Sequence, residues 1–246
     1  LKGITMNDTD YPARLLSCPD APVVLYQCGD CNLNRKRVIN IVGTRKCTEY
    51  GRDMVNSFVR ELKKVCPDVL IVSGLAYGID ICAHRAALAN GMDTIGVLAH
   101  GLDNIYPPLH RPVAVEMVNS GGGLLTEYTT RTTPDKGNFV RRNRIVAGMS
   151  DACIVAESAS KGGSLITANL SCDYQRPVFA FPGRVGDASS AGCNALIKQS
   201  KAALIEDVSD FISAIGWQTE VPAHNRQTEM FLSLPCRTED NRHSVK

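Results

Sequence analysis

Residues 136–144, KGNFVRRNR, gather Lys136, Arg141, Arg142 and Arg144 around one aromatic ring, Phe139, and the amide of Asn143. These residue types suit contact with nucleic acid. The cations neutralise phosphates, the Phe139 ring offers a stacking face, and Asn143 bonds to a base edge or a sugar. The run holds no obvious general acid, base or nucleophile, so it fits holding a ligand rather than transforming it. A basic run also suits the solvated face of a helix, and Phe139 also suits a core anchor for that helix. The run by itself leaves these readings open.

Net charge is only +2 over 246 residues, so affinity for a polyanion must come from a local patch. Between Arg131 and Arg144 five cations face one acid, Asp135, a local net of +4. The chain is 44% hydrophobic and 21% charged, the composition of one ordinary globular domain with a substantial core. No apolar run of about eighteen residues appears, and the start lacks a charged-then-apolar targeting pattern. These features predict a cytoplasmic protein with no membrane association. Ten cysteines are present, but a chain of this size needs no disulfide framework. Cys82, Cys153 and Cys172 read as small buried hydrophobes. Cys28 and Cys31 have metal-ligand spacing, yet no second pair follows at the distance zinc uses. The pair also precedes the first expected strand instead of opening a helix. No metal or other cofactor is expected.

The elements that would position the basic run follow from periodicity. Apolar runs at 38–42 (VINIV), 69–73 (VLIVS), 94–98, 124–127, 152–156, 178–181 and 203–205 suit strands. Helical patterns over 50–65, 78–89, 107–119 and 164–174 lie between them. Repeated strand-then-helix order predicts an α/β fold, a doubly wound, mostly parallel sheet of Rossmann-like type with helices on both faces. Residues 1–37 read as a lead-in, 38–217 as the domain, and 218–246 as a polar tail or linker, the start of a truncated further module.

In such a sheet ligands collect at the carboxyl ends of the strands. Three glycine-bearing turns fall there: Gly43-Thr44-Arg45, then Ser73-Gly74 leading to Gly78, then Gly162-Gly163-Ser164 with Thr167 one turn further on. Each enters a helix and can aim backbone N–H groups at an anion. Any one could be plain connection chemistry, but three on one edge predict a phosphate-lined crevice. The first turn lacks G-x-G-x-x-G order, and no P-loop is present, which argues against nicotinamide chemistry and Walker-type hydrolysis. Asp80 and His84, at i and i+4, have no serine or cysteine placed as nucleophile and read as a structural pair. Asp103 and Glu127 follow strands and could orient a ligand or the basic run.

In this order the motifs resemble the DNA-processing protein A (DprA/Smf) family. The matching segments are VGTR ending at Arg45 with Tyr50-Gly51, SGLAYGID ending at Asp80 with Ala83-His84, and GLDNIYP ending at Pro107. They continue with Phe139, RNRI from Arg142, GSLITA from Gly163, FPG from Phe181, Gly192-Cys193-Asn194 and Leu196-Ile197. The resemblance implies an extended Rossmann-like fold without known catalysis. It implies a homodimer that binds and protects single-stranded DNA and helps load the RecA recombinase, notably in natural transformation. The positions matching the family's DNA pocket are Arg45, Lys136 and Phe139, with Arg142, Asn143 and Arg144 as neighbours and the Gly162-Gly163-Ser164 turn contributing amides and hydroxyls.

Two rival readings come from other classes. Residues 161–169, KGGSLITAN, resemble the P-G-G-x-G-T-x-x-E loop of phosphoribohydrolases labelled lysine-decarboxylase-like. Asn169 stands where that loop has its carboxylate, and an amide cannot act as a general base. The other rival is a protein-interaction scaffold with an empty ancestral pocket, which would bind no DNA.

Overall fold

Apolar runs without polar alternation become strands covered on both faces. The computed structural model describes residues 1–218. In its first half the chain runs β1 (Lys2–Thr5), α1 (Ala13–Leu16), β2 (Val24–Cys28), β3 (Val38–Gly43), α2 (Glu49–Val65), β4 (Leu70–Ser73), α3 (Ile79–Ala89), β5 (Thr94–Val97) and α4 (Arg111–Asn119). It continues through β6 (Gly123–Thr126), α5 (Lys136–Gly148), β7 (Ala152–Glu157), α6 (Gly163–Asp173), β8 (Val178–Ala180), α7 (Ala191–Lys198), β9 (Ala203–Leu204) and α8 (Val208–Ile215).

One nine-stranded sheet results, in the order β1-β2-β6-β5-β4-β3-β7-β8-β9. All pairings are parallel except β1 with β2 and β2 with β6. Successive strand residues feed opposite cores. Val38 and Val42 pack toward α5 and α6 through Ile145, Val146 and Ala168, whereas Ile39 and Ile41 pack toward α2, α3 and α8 through Phe58, Ile79 and Phe211. Fully buried strands of this kind read as continuous apolar runs because both faces carry helices.

The lead-in differs from expectation. Residues 1–37 supply β1 and β2, which extend the sheet beside β6, so it does not stand apart from the domain. Only Ile4 of β1, and Leu25 and Gln27 of β2, are buried. Short edge strands with one covered face give little periodic signal. Helices α7 and α8 were likewise not among the expected elements. The polar tail expected over 218–246 lies, beyond Gln218, outside the described residues.

Candidate nucleic-acid interface

From β3 the chain steps outward through β4, β5 and β6, then returns to place β7 on the other side of β3. This reversal is a topological switch point, where adjacent loops part and leave a crevice. A register shift between β3 and β7 falls at Val42/Gly43, at this same end of the pair. A cleft of about 690 Å³ opens there, at the ends of β3, β4 and β7 and between the starts of α5 and α6.

Arg45 sits at its rim because the preceding turn is wedged between two neighbours. The Thr44 amide donates to the Glu157 carbonyl at 2.7 Å, and the Ile79 amide donates to the Thr44 carbonyl at 3.1 Å. A Cβ on Gly43 would lie 2.4 Å from Ile79 Cγ1. One on Gly78, whose φ is +78°, would lie 2.1 Å from the Thr44 oxygen. Both positions therefore require glycine. The exposed Arg45 side chain reaches the basic run, its Cζ 5.2 Å from the centroid of Phe139.

Helix α5 sorts the basic run by its period. Lys136, Phe139, Val140 and Asn143, at i, i+3, i+4 and i+7, share one stripe, and all four line the cleft. Asp135 caps the helix, accepting from the Gly137 amide at 2.7 Å, and so fixes the turn that carries Lys136. Opposite lies the start of α6, whose N-cap, Gly162, offers no side chain to its N–H groups. Gly162 and Gly163 are exposed, and Lys161 stands beside them. Ser164 bonds Ser158 at 2.9 Å, while the Asn143 amide and Thr167 hydroxyl both donate to the Gly163 carbonyl at 3.4 Å. The uncapped N–H groups, with the positive end of the helix dipole behind them, make an anion cradle.

Three expected contacts are engaged by the scaffold, although two of them, Arg142 and Gly74, still line the cleft. Arg142 is 4% exposed, and its Nη1 donates to the Gly74 carbonyl at 2.7 Å and to the Val97 carbonyl. Off the Lys136 stripe, it forms part of the cleft floor beside buried Asp80, whose carboxylate accepts backbone bonds from Ala76 and Gly74. Burial pushes the Asp80 pKa up and the Arg142 pKa down, each opposed by the other's charge. The Ser73-Gly74 turn thus offers the cleft no free amide at Gly74, and the buried Ser73 hydroxyl donates to the Ile41 carbonyl at 2.6 Å. A Cβ on Gly74 would lie 2.2 Å from Arg142 Nη1, so this glycine makes room for the guanidinium. Arg144 lies off the cleft, ion-paired to Glu127, which gives that acid its role.

The other open positions are also accounted for. Asp103 accepts the Arg131 amide at 3.1 and 3.0 Å, tying two loops together. His84 is fully buried, and its Nδ1 bonds Thr94 Oγ1 at 2.7 Å. That hydroxyl spends its own proton on the Ile71 carbonyl at 2.9 Å, so the imidazole is the donor. Burial pushes the Cys31 thiol up to about 12, leaving no reactive thiolate there. No group of three potential metal ligands exists among the described residues, and no helix there is long and apolar enough to cross a membrane.

Among the cleft residues to which the sequence reading gave no binding role are Lys161 and Tyr106. Lys161 adjoins the double glycine, which could have flagged it. Tyr106 lies in an aperiodic loop, flagged only by the GLDNIYP segment that resembles the family.

The family model described as DNA recombination-mediator protein A matches residues 2–216. The chain belongs to this family. It is 39% identical over 235 residues to the DNA processing protein DprA of Bacillus subtilis, which covers 94% of this chain and 75% of that one. Among solved structures, DNA processing protein A from Streptococcus pneumoniae superposes with a TM-score of 0.81 at 36% identity, covering 88% and 75% of the two chains. That of Helicobacter pylori, described for its single-stranded DNA binding mode, gives a TM-score of 0.77 at 34% identity over 87% and 96%.

Proposed function

We propose that this protein binds single-stranded DNA in the cleft, without sequence preference and without cutting it. As a cytoplasmic homodimer it shields such strands and passes them to the RecA recombinase. One observation carries the reading: Arg45, Lys136 and Phe139, from segments some ninety residues apart in sequence, meet at one switch-point cleft with the Arg45 guanidinium 5.2 Å from the Phe139 ring. Arg45 and Lys136 hold phosphates, Phe139 stacks a base for roughly 1–3 kcal/mol, and the start of α6 takes the backbone. A narrow crevice that stacks bases needs them unpaired, which disfavours duplex. The family description and the Helicobacter relative support the same ligand.

The acids around the cleft support binding without hydrolysis, because each is occupied. Asp80 holds backbone amides, Asp135 caps α5, and Glu157 accepts the Thr48 amide at 2.8 Å and its hydroxyl at 2.7 Å. Asn169, standing where the phosphoribohydrolase loop has its carboxylate, lies off the cleft and accepts from Lys201 Nζ at 3.1 Å. No free general base faces the cleft among the described residues.

Fluorescence anisotropy of labelled oligo(dT) and a matched duplex tests the proposal. Wild-type protein should prefer the single strand, and Arg45→Ala/Lys136→Ala should lose roughly tenfold or more in affinity. A folded wild-type protein that binds neither would overturn the reading.

A further inference from the structure

A second aromatic ring stands at the cleft, that of Tyr106. It is 44% exposed, and its centroid lies 5.8 Å from that of Phe139, with the planes inclined at 50°. An exposed aromatic at the mouth of a polar cleft is poorly placed for solvent and well placed for a flat ligand. Its backbone is held from several sides. His100 Nδ1 donates to the Gly101 carbonyl at 2.9 Å, and its Nε2 accepts the Tyr106 amide at 3.3 Å. The Gly101 amide donates to the Thr132 carbonyl at 3.1 Å, and a Cβ on Gly101 would lie 2.6 Å from the Thr129 oxygen. Together with the bond from the Arg131 amide to Asp103, these contacts fasten the 101–107 loop to the segment entering α5. Tyr106 is thereby referenced to the same helix start that carries Lys136 and Phe139.

The two rings cannot sandwich one base. A base between parallel rings needs about 7 Å, two van der Waals contacts of about 3.5 Å each, and these rings are closer and inclined. We infer that Tyr106 is a second stacking platform, taking the nucleotide next to the one on Phe139, so that the cleft turns two successive bases through the angle between the rings. This inference rests on the single-strand reading above. It deepens that reading by naming a residue and a two-base footprint.

The test compares oligo(dT) with strands carrying an abasic ribose at single positions, binding wild type, Tyr106→Ala, Tyr106→Phe and Phe139→Ala. Tyr106→Ala should weaken oligo(dT) binding roughly 5–100-fold, the loss of one stacked base. Tyr106→Phe should stay within about twofold of wild type. The abasic change should hurt wild type at two adjacent positions but Tyr106→Ala at only one. If Tyr106→Ala binds like wild type while Phe139→Ala is weakened, the inference fails and the single-strand reading stands. If Tyr106→Ala weakens every strand equally, abasic ones included, the residue shapes the loop and the inference also fails. A wild type that binds no strand sinks both.

Discussion

Replacing Arg142 with alanine should damage the fold more than any direct hold on DNA, although Arg142 sits in the most basic stretch of the chain. The side chain is 4% exposed and bonds two backbone carbonyls, Gly74 and Val97, over buried Asp80. Alanine leaves both carbonyls without that donor and Asp80 without its nearest opposing charge. Breaking a buried ionic arrangement from one side costs about 3–5 kcal/mol, because the remaining charge stays desolvated. With an m-value near 2–3 kcal/mol/M, the urea midpoint should fall by roughly 1–2 M. Arg45→Ala should behave oppositely. Its guanidinium is exposed, and its contact with Phe139 contributes about 0.5–1 kcal/mol, so the midpoint should barely move while oligo(dT) affinity drops. Adding Asp80→Asn to Arg142→Ala should recover part of the lost stability by neutralising the orphaned charge. Urea unfolding and anisotropy on the same preparations check all three. An Arg142→Ala protein with an unchanged midpoint and no DNA binding would show that this side chain acts on the ligand, and the scaffold assignment would be wrong.

Three further outcomes follow from other contacts. If Arg45, Lys136 and Lys161 each neutralise one phosphate, log K for oligo(dT) should fall by about 2 per log unit of salt, at about 0.7 per contact, and by roughly 0.7 in Arg45→Ala/Lys136→Ala. Gly51→Ala lies within α2, where alanine would ordinarily help by about 1 kcal/mol. Here its Cβ would fall 2.4 Å from Glu157 Oε2, so calorimetry or urea unfolding should find a loss of roughly 1–3 kcal/mol from overpacking. Burial drives the His84 pKa from the usual 6.5 to about 3. Below pH 6.5 the unfolded chain therefore takes up a proton that the folded chain refuses, and stability falls as pH drops toward 3. Between pH 7 and pH 5 His84→Gln should lose about 2 kcal/mol less stability than wild type in urea titrations; equal losses would refute the assignment.

The sequence was legible where one side chain answers to one rule. Strands buried on both faces are short apolar runs, and α2 announces itself by its period, so a mostly parallel sheet with a crevice at the carboxyl ends of its strands could be expected, whereas the strand order that makes the switch point could not. Arg45 could be named because it follows a strand end, and Lys136 and Phe139 because they stand in the basic run that resembles the family's pocket. The misreadings share a cause. A run such as RRNR looks uniform when written as a line, but α5 turns each residue by about 100°, sending Asn143 to the cleft wall, Arg142 into its buried floor and Arg144 to Glu127. Ser73-Gly74 looks like a phosphate loop because glycine permits close approach, yet what approaches Gly74 is the Arg142 guanidinium. Tyr106 reaches the cleft through a bond to His100, six residues before it, and through a loop that Asp103 ties to Arg131, 28 residues on, contacts that no helix or strand period encodes. Exposure therefore separates the cations by task. The cleft cations that water can reach, Arg45, Lys136 and Lys161, remain free to exchange it for phosphate, and the buried one, Arg142, must already be satisfied by the protein itself.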